Sequence, residues 1–310
     1  MEEIIVIGKS NPGVYPVLDV WGWEISVYLF LGGAAAGTLF FAAIGYLLGK
    51  EDALPMSVKN AIHFVPPALL VGLFLLFLDL HHKLNVWRLY TSFSLESPMS
   101  WGAWTLLVIT PLSILWWLSY HYSMVPRWKR SERWLRKISN WSVRNRKILA
   151  WMILLTSVVL GVYTGILLSA FNARPLWNSS ILGVLFFVSG LSVSAALIQW
   201  LSASKFETAL FRKFDLGLIG LEIFLIIHLF MGLLSGSAVQ IQAAGLFLGG
   251  PFTLSFWLMV FTLGLIVPAI AEVLEMFGTR VNKLVVPLLI IFGGLMLRII
   301  IVNAGQVSSF

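Results

Sequence analysis

The sequence predicts an all-α integral membrane protein: eight transmembrane helices in two four-helix bundles, with both termini outside the cytoplasm. Three observations carry the prediction. Hydrophobic residues fill 59% of the 310 positions and charged residues only 11%, a balance foreign to soluble domains. The apolar residues gather into eight runs of about 20, the length that crosses a bilayer as a helix. The cations are segregated, with nine of the 21 Lys and Arg lying between His121 and Lys147.

The eight runs are Trp23 to Leu48, Ala61 to Leu80, Trp101 to Tyr120, Ile148 to Ala170, Ser179 to Leu201, Leu216 to Gly236, Thr253 to Ile270 and Leu284 to Val302. They lack the polar–apolar alternation of barrel strands, and a helix satisfies every backbone group within one segment. Connections after the first, third, fifth and seventh runs carry Lys50, Lys59, the nine cations from Arg127 to Lys147, Lys205, Arg212, Lys213, Arg280 and Lys283. The other side has Lys9, Lys83, Arg88, Arg174 and Arg298, a split of 16 to 5 that places the first group in the cytoplasm. The formal charge of +7 is therefore a signal of topology rather than of nucleic-acid binding. Residues 1–22 form an extracytoplasmic segment without the basic start of a signal peptide. Residues 23–170 make the first bundle, with the basic cytoplasmic loop 121–147, and residues 171–310 the second.

Taken in order, the first run contains two GxxxG motifs, Gly33 to Gly37 and Gly45 to Gly49, with Ala34, Ala35 and Ala36 inside the first pair. Small residues let helix backbones approach closely, so the motif predicts tight packing rather than chemistry. Tryptophans mark the ends of runs, where an indole buries its ring and keeps its N–H in the headgroups. Trp21, Trp23, Trp101, Trp104, Trp177 and Trp257 are predicted in an outer belt, and Trp116, Trp117, Trp151 and Trp200 in an inner one. In the basic loop, Trp134, Ile138 and Trp141 fall at i, i+4 and i+7, the pattern of a short helix lying on anionic lipid. A weak parallel repeat aligns TyrLeuPheLeuGlyGly from Tyr28 with LeuPhePheValSerGly from Leu185, and Pro98 and Trp104 with Pro251 and Trp257.

Polar groups inside or beside the runs are the candidate chemistry, because an ionisable side chain in hydrocarbon needs a partner or a wet cavity. Glu24, Asp79, His81, His82, Lys83, Tyr163 and Arg174 are predicted at one depth near the outer face. An ordinary interfacial role competes for Glu24, His81 to Lys83 and Arg174, and less so for Asp79 and Tyr163. Glu222 and His228 in the sixth run are proton-path candidates, although a buried Glu can simply tie helices together. Glu272 and Glu275 are predicted to be wetted, and Arg298 to snorkel outward or to neutralise Asp79 or Glu24. Of the five histidines, only His63 and His121 could pair at one level, and neither sits in a run's core, which argues against b-type haem. Cys is absent, so the protein has no disulfide and no cysteinyl iron–sulfur cluster within its own sequence.

These residues resemble the NrfD family, the membrane subunits of the polysulfide reductase and formate-dependent nitrite reductase type. The resemblance spans almost the whole sequence. It rests on TrpGlyTrpGluIleSerValTyrLeuPheLeuGlyGlyAlaAlaAlaGly from Trp21, AspLeuHisHis from Asp79, SerProMetSerTrpGlyAlaTrp from Ser97, TyrThrGlyIleLeuLeuSer from Tyr163 and ArgProLeuTrpAsn from Arg174. It implies a subunit of a respiratory oxidoreductase complex in a prokaryotic cytoplasmic membrane, reactive with menaquinone or ubiquinone near the outer face and without haem or metal of its own. Its implied partners are an iron–sulfur subunit and a catalytic subunit: a molybdenum enzyme, a hydrogenase or a multihaem cytochrome. The resemblance makes Tyr163 the quinone's hydrogen-bond donor. Asp79 and Glu24 would exchange protons, and His81, His82, Trp101, Arg174 and Tyr28 would complete the pocket. Some relatives carry a histidine around the first helix that helps hold the quinone; none stands here, so Glu24 or His81 would substitute. The residues alone leave two other classes open, an ion- or proton-translocating transporter and a structural anchor for a peripheral enzyme.

Overall fold

A computed structural model describes residues 21–80, 82–91, 93–94, 96–122, 132–171, 173–279 and 281–308. The predictions made for residues 1–20, for His81 and for residues 123–131 fall outside them. In sequence order the helices are α1 (Trp23–Leu47), α2 (Met56–Asp79), α3 (Arg88–Thr91), α4 (Pro98–His121), α5 (Glu132–Arg144), α6 (Arg146–Ser169), α7 (Ile181–Leu201), α8 (Lys205–Leu234), α9 (Ala238–Gly245), α10 (Ser255–Met276) and α11 (Val285–Val307). Eight of these, all but α3, α5 and α9, are long and apolar enough to cross a membrane, and the described residues contain no strand. Alternation puts the α1–α2, α7–α8 and α10–α11 connections, together with α5, at one end of the molecule, here the basic end. The α2–α4, α6–α7 and α8–α10 connections lie at the opposite end. There the start of α1 is tied to the end of α11: the Trp21 amide donates to Gln306 Oε1 and Gln306 Nε2 to Trp21 O, both at 2.9 Å.

At the centre α1 crosses α7, and the GxxxG motif explains how. A Cβ added to Gly190 would lie 2.6 Å from Gly33 O, closer than any real side chain approaches a backbone. Ser194 Oγ, one turn on, donates to Ala34 O at 2.8 Å and seals the contact with a buried hydrogen bond. Gly33 and Gly190 are equivalent positions of the weak repeat, and they meet back to back. α1 packs on α2, α6, α7 and α11, while α7 packs on α8, α11, α1 and α6, the same neighbours displaced by four spans. α10 runs with π-helical geometry over Ser255–Ile266 and meets α11 at Gly264 and Gly293, another pair with no room for a Cβ on either side.

The structure corrects several boundaries and placements. α8 starts at Lys205 rather than Leu216, because Ser204 Oγ caps the helix by accepting from the Glu207 amide at 3.3 Å. Glu207, wholly buried, reaches across to α2, where Met56 N and Ser57 N donate to its carboxylate at 3.1 and 2.8 Å. That carboxylate satisfies the free amides of a helix start, so α2 begins at Met56 rather than Ala61. Trp116 and Trp177 are core residues, not belt residues: their indoles donate to Val58 O at 3.1 Å and Ile301 O at 2.9 Å. Trp21 is likewise buried against Trp177 and Phe171. Trp23, Trp101, Trp104 and Trp151 do face outward.

Arg298 does not snorkel. It is completely buried, donating to Gly294 O at 2.7 Å, Phe186 O at 3.0 Å and Ser189 Oγ at 3.1 Å, because α11 turns it toward α7 and α1. Gly33 leaves the space that the guanidinium fills, its nearest nitrogen lying 2.9 Å from where a Cβ would stand. Glu272 is not wetted either; it is fully buried and accepts from Gln199 Nε2 at 3.0 Å. The amphipathic segment is the helix α5, set against α4 by the Ser139 Oγ to Leu118 O bond at 3.1 Å, with Trp134, Ile138 and Trp141 exposed.

Candidate functional site

Tyr163 lies on α6 in the half nearer the opposite end, and its side chain is buried with 7% exposure. What seats it there is a missing side chain on the neighbouring helix. A Cβ at Gly102 of α4 would overlap the Tyr163 Cζ and Oη atoms, so the ring occupies the notch that this glycine leaves. Gly102 belongs to the SerProMetSerTrpGlyAlaTrp stretch, whose Pro98 starts α4 at a position where a missing amide costs nothing. Behind Tyr163 stand two more phenols, Tyr28 of α1 and Tyr90 of α3, within electrostatic reach of one another. The Tyr28 ring rests on Gly72 of α2. Tyr28 interacts with Tyr163, but its buried hydroxyl makes no hydrogen bond of normal geometry among the described residues, and neither does Ser26 Oγ two positions earlier. Burial pushes the Tyr90 phenol above its ordinary value, so it stays a hydrogen-bond donor at neutral pH.

In front of Tyr163 opens a cleft of about 450 Å³ between the start of α4 and the half of α6 far from the basic end. Its walls are Pro98 and Trp101 on one side and Val158, Val159, Val162 and Ile166 on the other, with Tyr163 at the back and Glu96 at the rim. The volume lies in the range of small-molecule sites, and the lining has their composition: apolar walls with few polar groups. Val159, Ile166 and Trp101 are themselves 43%, 42% and 48% exposed on the membrane-facing surface, so the cleft opens sideways toward lipid. A flat, apolar ring with a polar edge fits such a space, entering from the bilayer and meeting a phenol donor at its end.

Of the residues picked out in the sequence, Tyr163 and Trp101 line this cleft and Tyr28 stands directly behind it. Glu24 lies half-buried in the first turn of α1, with its carboxylate folded over Gly22, and Asp79 ends α2, also half-buried. His82 is exposed in the α2–α3 connection. Arg174 is taken up by the end of α11, donating to Gln306 O at 2.6 Å and Ser308 O at 3.0 Å. α8 turns Glu222 inward and His228 outward, where the imidazole packs on Phe224 with ring centroids 4.2 Å apart. At the basic end the His63 and His121 rings lie against each other, centroids 4.1 Å apart and planes tilted by 43°; Trp117 Nε1 donates to His63 Nδ1, and His121 Nε2 donates to Lys59 O. Glu96 and the aliphatic wall of α6 went unremarked in the sequence, and Gly102 stood only inside the SerProMetSerTrpGlyAlaTrp stretch with no role read for it. For Glu96 the only signal was a lone carboxylate two positions before the helix-starting proline; for Gly102 it was a glycine inside an aromatic-rich helix start.

Fold and site together define a multi-pass integral membrane protein with a lateral, lipid-facing cleft at one end of its bundle. Residues 10–309 match the family described as Polysulphide reductase, NrfD, and the protein belongs to that family. It is 30% identical to Protein NrfD of Escherichia coli over 307 residues, covering 93% of this sequence and 96% of that one. It is 31% identical to a polysulfide reductase chain from Wolinella succinogenes, with 93% and 94% covered. Similarity also extends to a tetrathionate reductase subunit from Salmonella typhimurium, 30% identical over 57% of this sequence and 47% of that one.

Proposed function

We propose that this protein is the quinone-reactive membrane subunit of a respiratory reductase complex in a bacterial cytoplasmic membrane. The observation that carries the proposal is the phenol of Tyr163 at the closed end of an apolar cleft that opens to lipid. A quinone carries its reactive carbonyls on a flat ring and its solubility in an isoprenoid tail. The cleft admits the ring between Trp101 and Val162 while the tail stays in the bilayer beyond Val159 and Ile166. Tyr163 donates to one carbonyl and is held in place by the Gly102 notch. The buried hydroxyls of Tyr28, beside Tyr163, and of Ser26 supply further donors behind it.

Interconversion of quinone and quinol moves two electrons and two protons. Glu96, exposed at the cleft rim, is the carboxylate placed to pass protons between the site and water at that end. Asp79 and Glu24 flank the same end of the molecule and extend that acidic margin. The electrons need a one-electron carrier, and a sequence with no cysteine has no cysteinyl iron–sulfur cluster of its own. An iron–sulfur partner docked at the cleft end supplies it and passes the electrons to or from a catalytic subunit. The names of the relatives, one a chain of a polysulfide reductase and another a subunit of a tetrathionate reductase, support a multi-subunit assembly of this type.

The test is Tyr163→Phe in the intact complex, assayed with quinol and quinone. A lost hydrogen bond is worth about 0.5–1.5 kcal/mol, so quinone affinity falls by up to about tenfold. The protein level in the membrane stays unchanged, since the ring remains in its notch. Unaltered quinone affinity and turnover in this variant would refute the assignment.

A further inference from the structure

A second site lies at the basic end, far along the bundle from the cleft. We propose that Asp215 and Glu272 form a carboxyl pair that holds a proton inside the membrane-spanning part of the protein and exchanges it with water at the basic end. The burial, contacts and charge balance of this pair are independent of whether the cleft takes quinone.

Both side chains are completely buried, Asp215 on α8 and Glu272 on α10. One carboxamide bridges them: Gln199 Nε2 of α7 donates to Glu272 Oε1 at 3.0 Å and lies 3.5 Å from Asp215 Oδ2. Ser192 Oγ, two turns along α7, donates to Asp215 Oδ1 at 2.6 Å. The two carboxyl groups also interact directly with each other.

The charges facing this pair come from every helix packed on it. From α8 come Arg212 and Glu222, from α10 Glu275, from α7 the neutral Gln199 and Ser192, and from the connection before α11 Lys283, whose amine donates to Ser202 O. Arg212 is bound to Glu275 at 2.6 Å, so this nearby cation is already matched. Glu222 has Arg298 as its own cation farther along the bundle. Arg212 is matched by Glu275, and neither Asp215 nor Glu272 has an ion pair of its own among the described residues. Two adjacent anions in a dry interior are strongly disfavoured, and sharing one proton removes the conflict. The proton also gives a role to Glu272 Oε2, which is buried with no donor aimed at it among the described residues. Protonated, it becomes a donor, and the facing Asp215 carboxyl is the acceptor at hand.

Glu207 shows the contrast within the same molecule. It is equally buried, but it receives Met56 N, Ser57 N and Ser202 Oγ, three donors that stabilise an anion. Burial alone is thus not what marks the Asp215–Glu272 pair; the shortage of donors and cations is.

A route to water adjoins the pair. A narrow space of about 20 Å³, enough for one water, is lined by Gln199, Thr208, Arg212, Glu275 and Lys283. It shares Thr208, Arg212 and Lys283 with an open hollow of about 370 Å³ at the basic end. Gln199 therefore touches the bridged carboxyls on one side and the water passage on the other.

The test is infrared difference spectroscopy of the full-length protein in lipid nanodiscs, read in the C=O stretching region of protonated carboxyls. The wild type shows a protonated-carboxyl band that shifts on transfer to deuterated water. The band disappears in Asp215→Asn/Glu272→Gln, whose amides keep the shape and polarity of the pair, and it moves but persists in Asp215→Glu, which retains the acid and guards against a folding defect. Thr208→Phe, which fills the narrow space, slows deuteration of the band at least tenfold. A band that survives in the double variant, or a wild type without one, overturns the shared proton; unchanged deuteration in Thr208→Phe overturns the route. Loss of quinone binding in Tyr163→Phe alters none of these readouts, so the two assignments fail separately.

Discussion

At Gly102 a hydrogen atom stands where Tyr163 needs room, and the cleft depends on that absence as much as on the phenol itself. Replacing Gly102 by Ala puts a methyl group into the ring's space and forces Tyr163 toward the cleft or out of it. Alanine is the better helix former by about 1 kcal/mol, so the helix itself gains while the site loses. Gly102→Ala is therefore expected to keep the protein in the membrane at normal levels and to lower quinol-dependent electron transfer about tenfold or more; a stable variant with full activity would contradict this geometry. Arg298 makes the opposite case, a large charged group that holds the interior together. Arg298→Met strands three buried acceptors and takes a nearby positive charge from Glu222, a loss of about 3 kcal/mol. Arg298→Met/Glu222→Gln should recover part of that loss in thermal unfolding, because the second change removes the stranded charge. At this scale the sequence was partly legible. Tyr163 and Trp101 could be picked out by residue type and resemblance, whereas Gly102, Glu96 and Asp215 could not. Their roles depend on which neighbour each helix turns toward, and a run of apolar residues carries almost no signal of facing.

At the scale of elements, all eight spans were legible, since apolar length alone sets them. Their ends were less so. The α8 start was hidden because Lys205 to Lys213 looks like a charged loop, yet Ser204 and Glu207 stand three apart as a helix-start signature does. The structure puts that glutamate to a second use, as a cap for α2 in the other half of the sequence. Glu207→Gln turns one of the two carboxylate oxygens into an NH2 donor, so one of the two backbone amides loses its acceptor. It is expected to cost about 2 kcal/mol, read as a lower thermal unfolding temperature in detergent, with quinone affinity untouched because the cleft lies at the other end. Equal loss of stability and affinity would show instead that the basic end and the cleft are mechanically coupled. The same logic accounts for the tryptophans. Trp116 and Trp177 sit near span ends, where belts are expected, but their indoles donate to the buried carbonyls of Val58 and Ile301, and Trp177 fills the space that Gly305 leaves.

The whole molecule is polarised along the membrane normal: a lateral cleft with Tyr163 at one end, the basic helix α5 and the Asp215–Glu272 pair at the other. Which end faces the cytoplasm rests on the cation counts alone, and the proposed function depends on it, because the proposed iron–sulfur partner would have to meet the cleft on the correct side. The absence of native cysteine makes this directly measurable. A cysteine at Asn85, exposed in the α2–α3 connection, and one at Lys137, exposed on α5, can each be labelled without background from any other thiol. With a membrane-impermeant maleimide applied to intact cells, the Asn85→Cys protein is expected to react and the Lys137→Cys protein to react only after permeabilisation. The cation excess predicts this outcome because moving so many positive charges outward is opposed by the membrane potential and the anionic inner leaflet. The reverse labelling pattern would place the cleft on the cytoplasmic face and α5 outside. It would then require the electron-transfer partner to be cytoplasmic, and the carboxyl pair to exchange its proton with the outside, while leaving every contact described within the bundle unchanged.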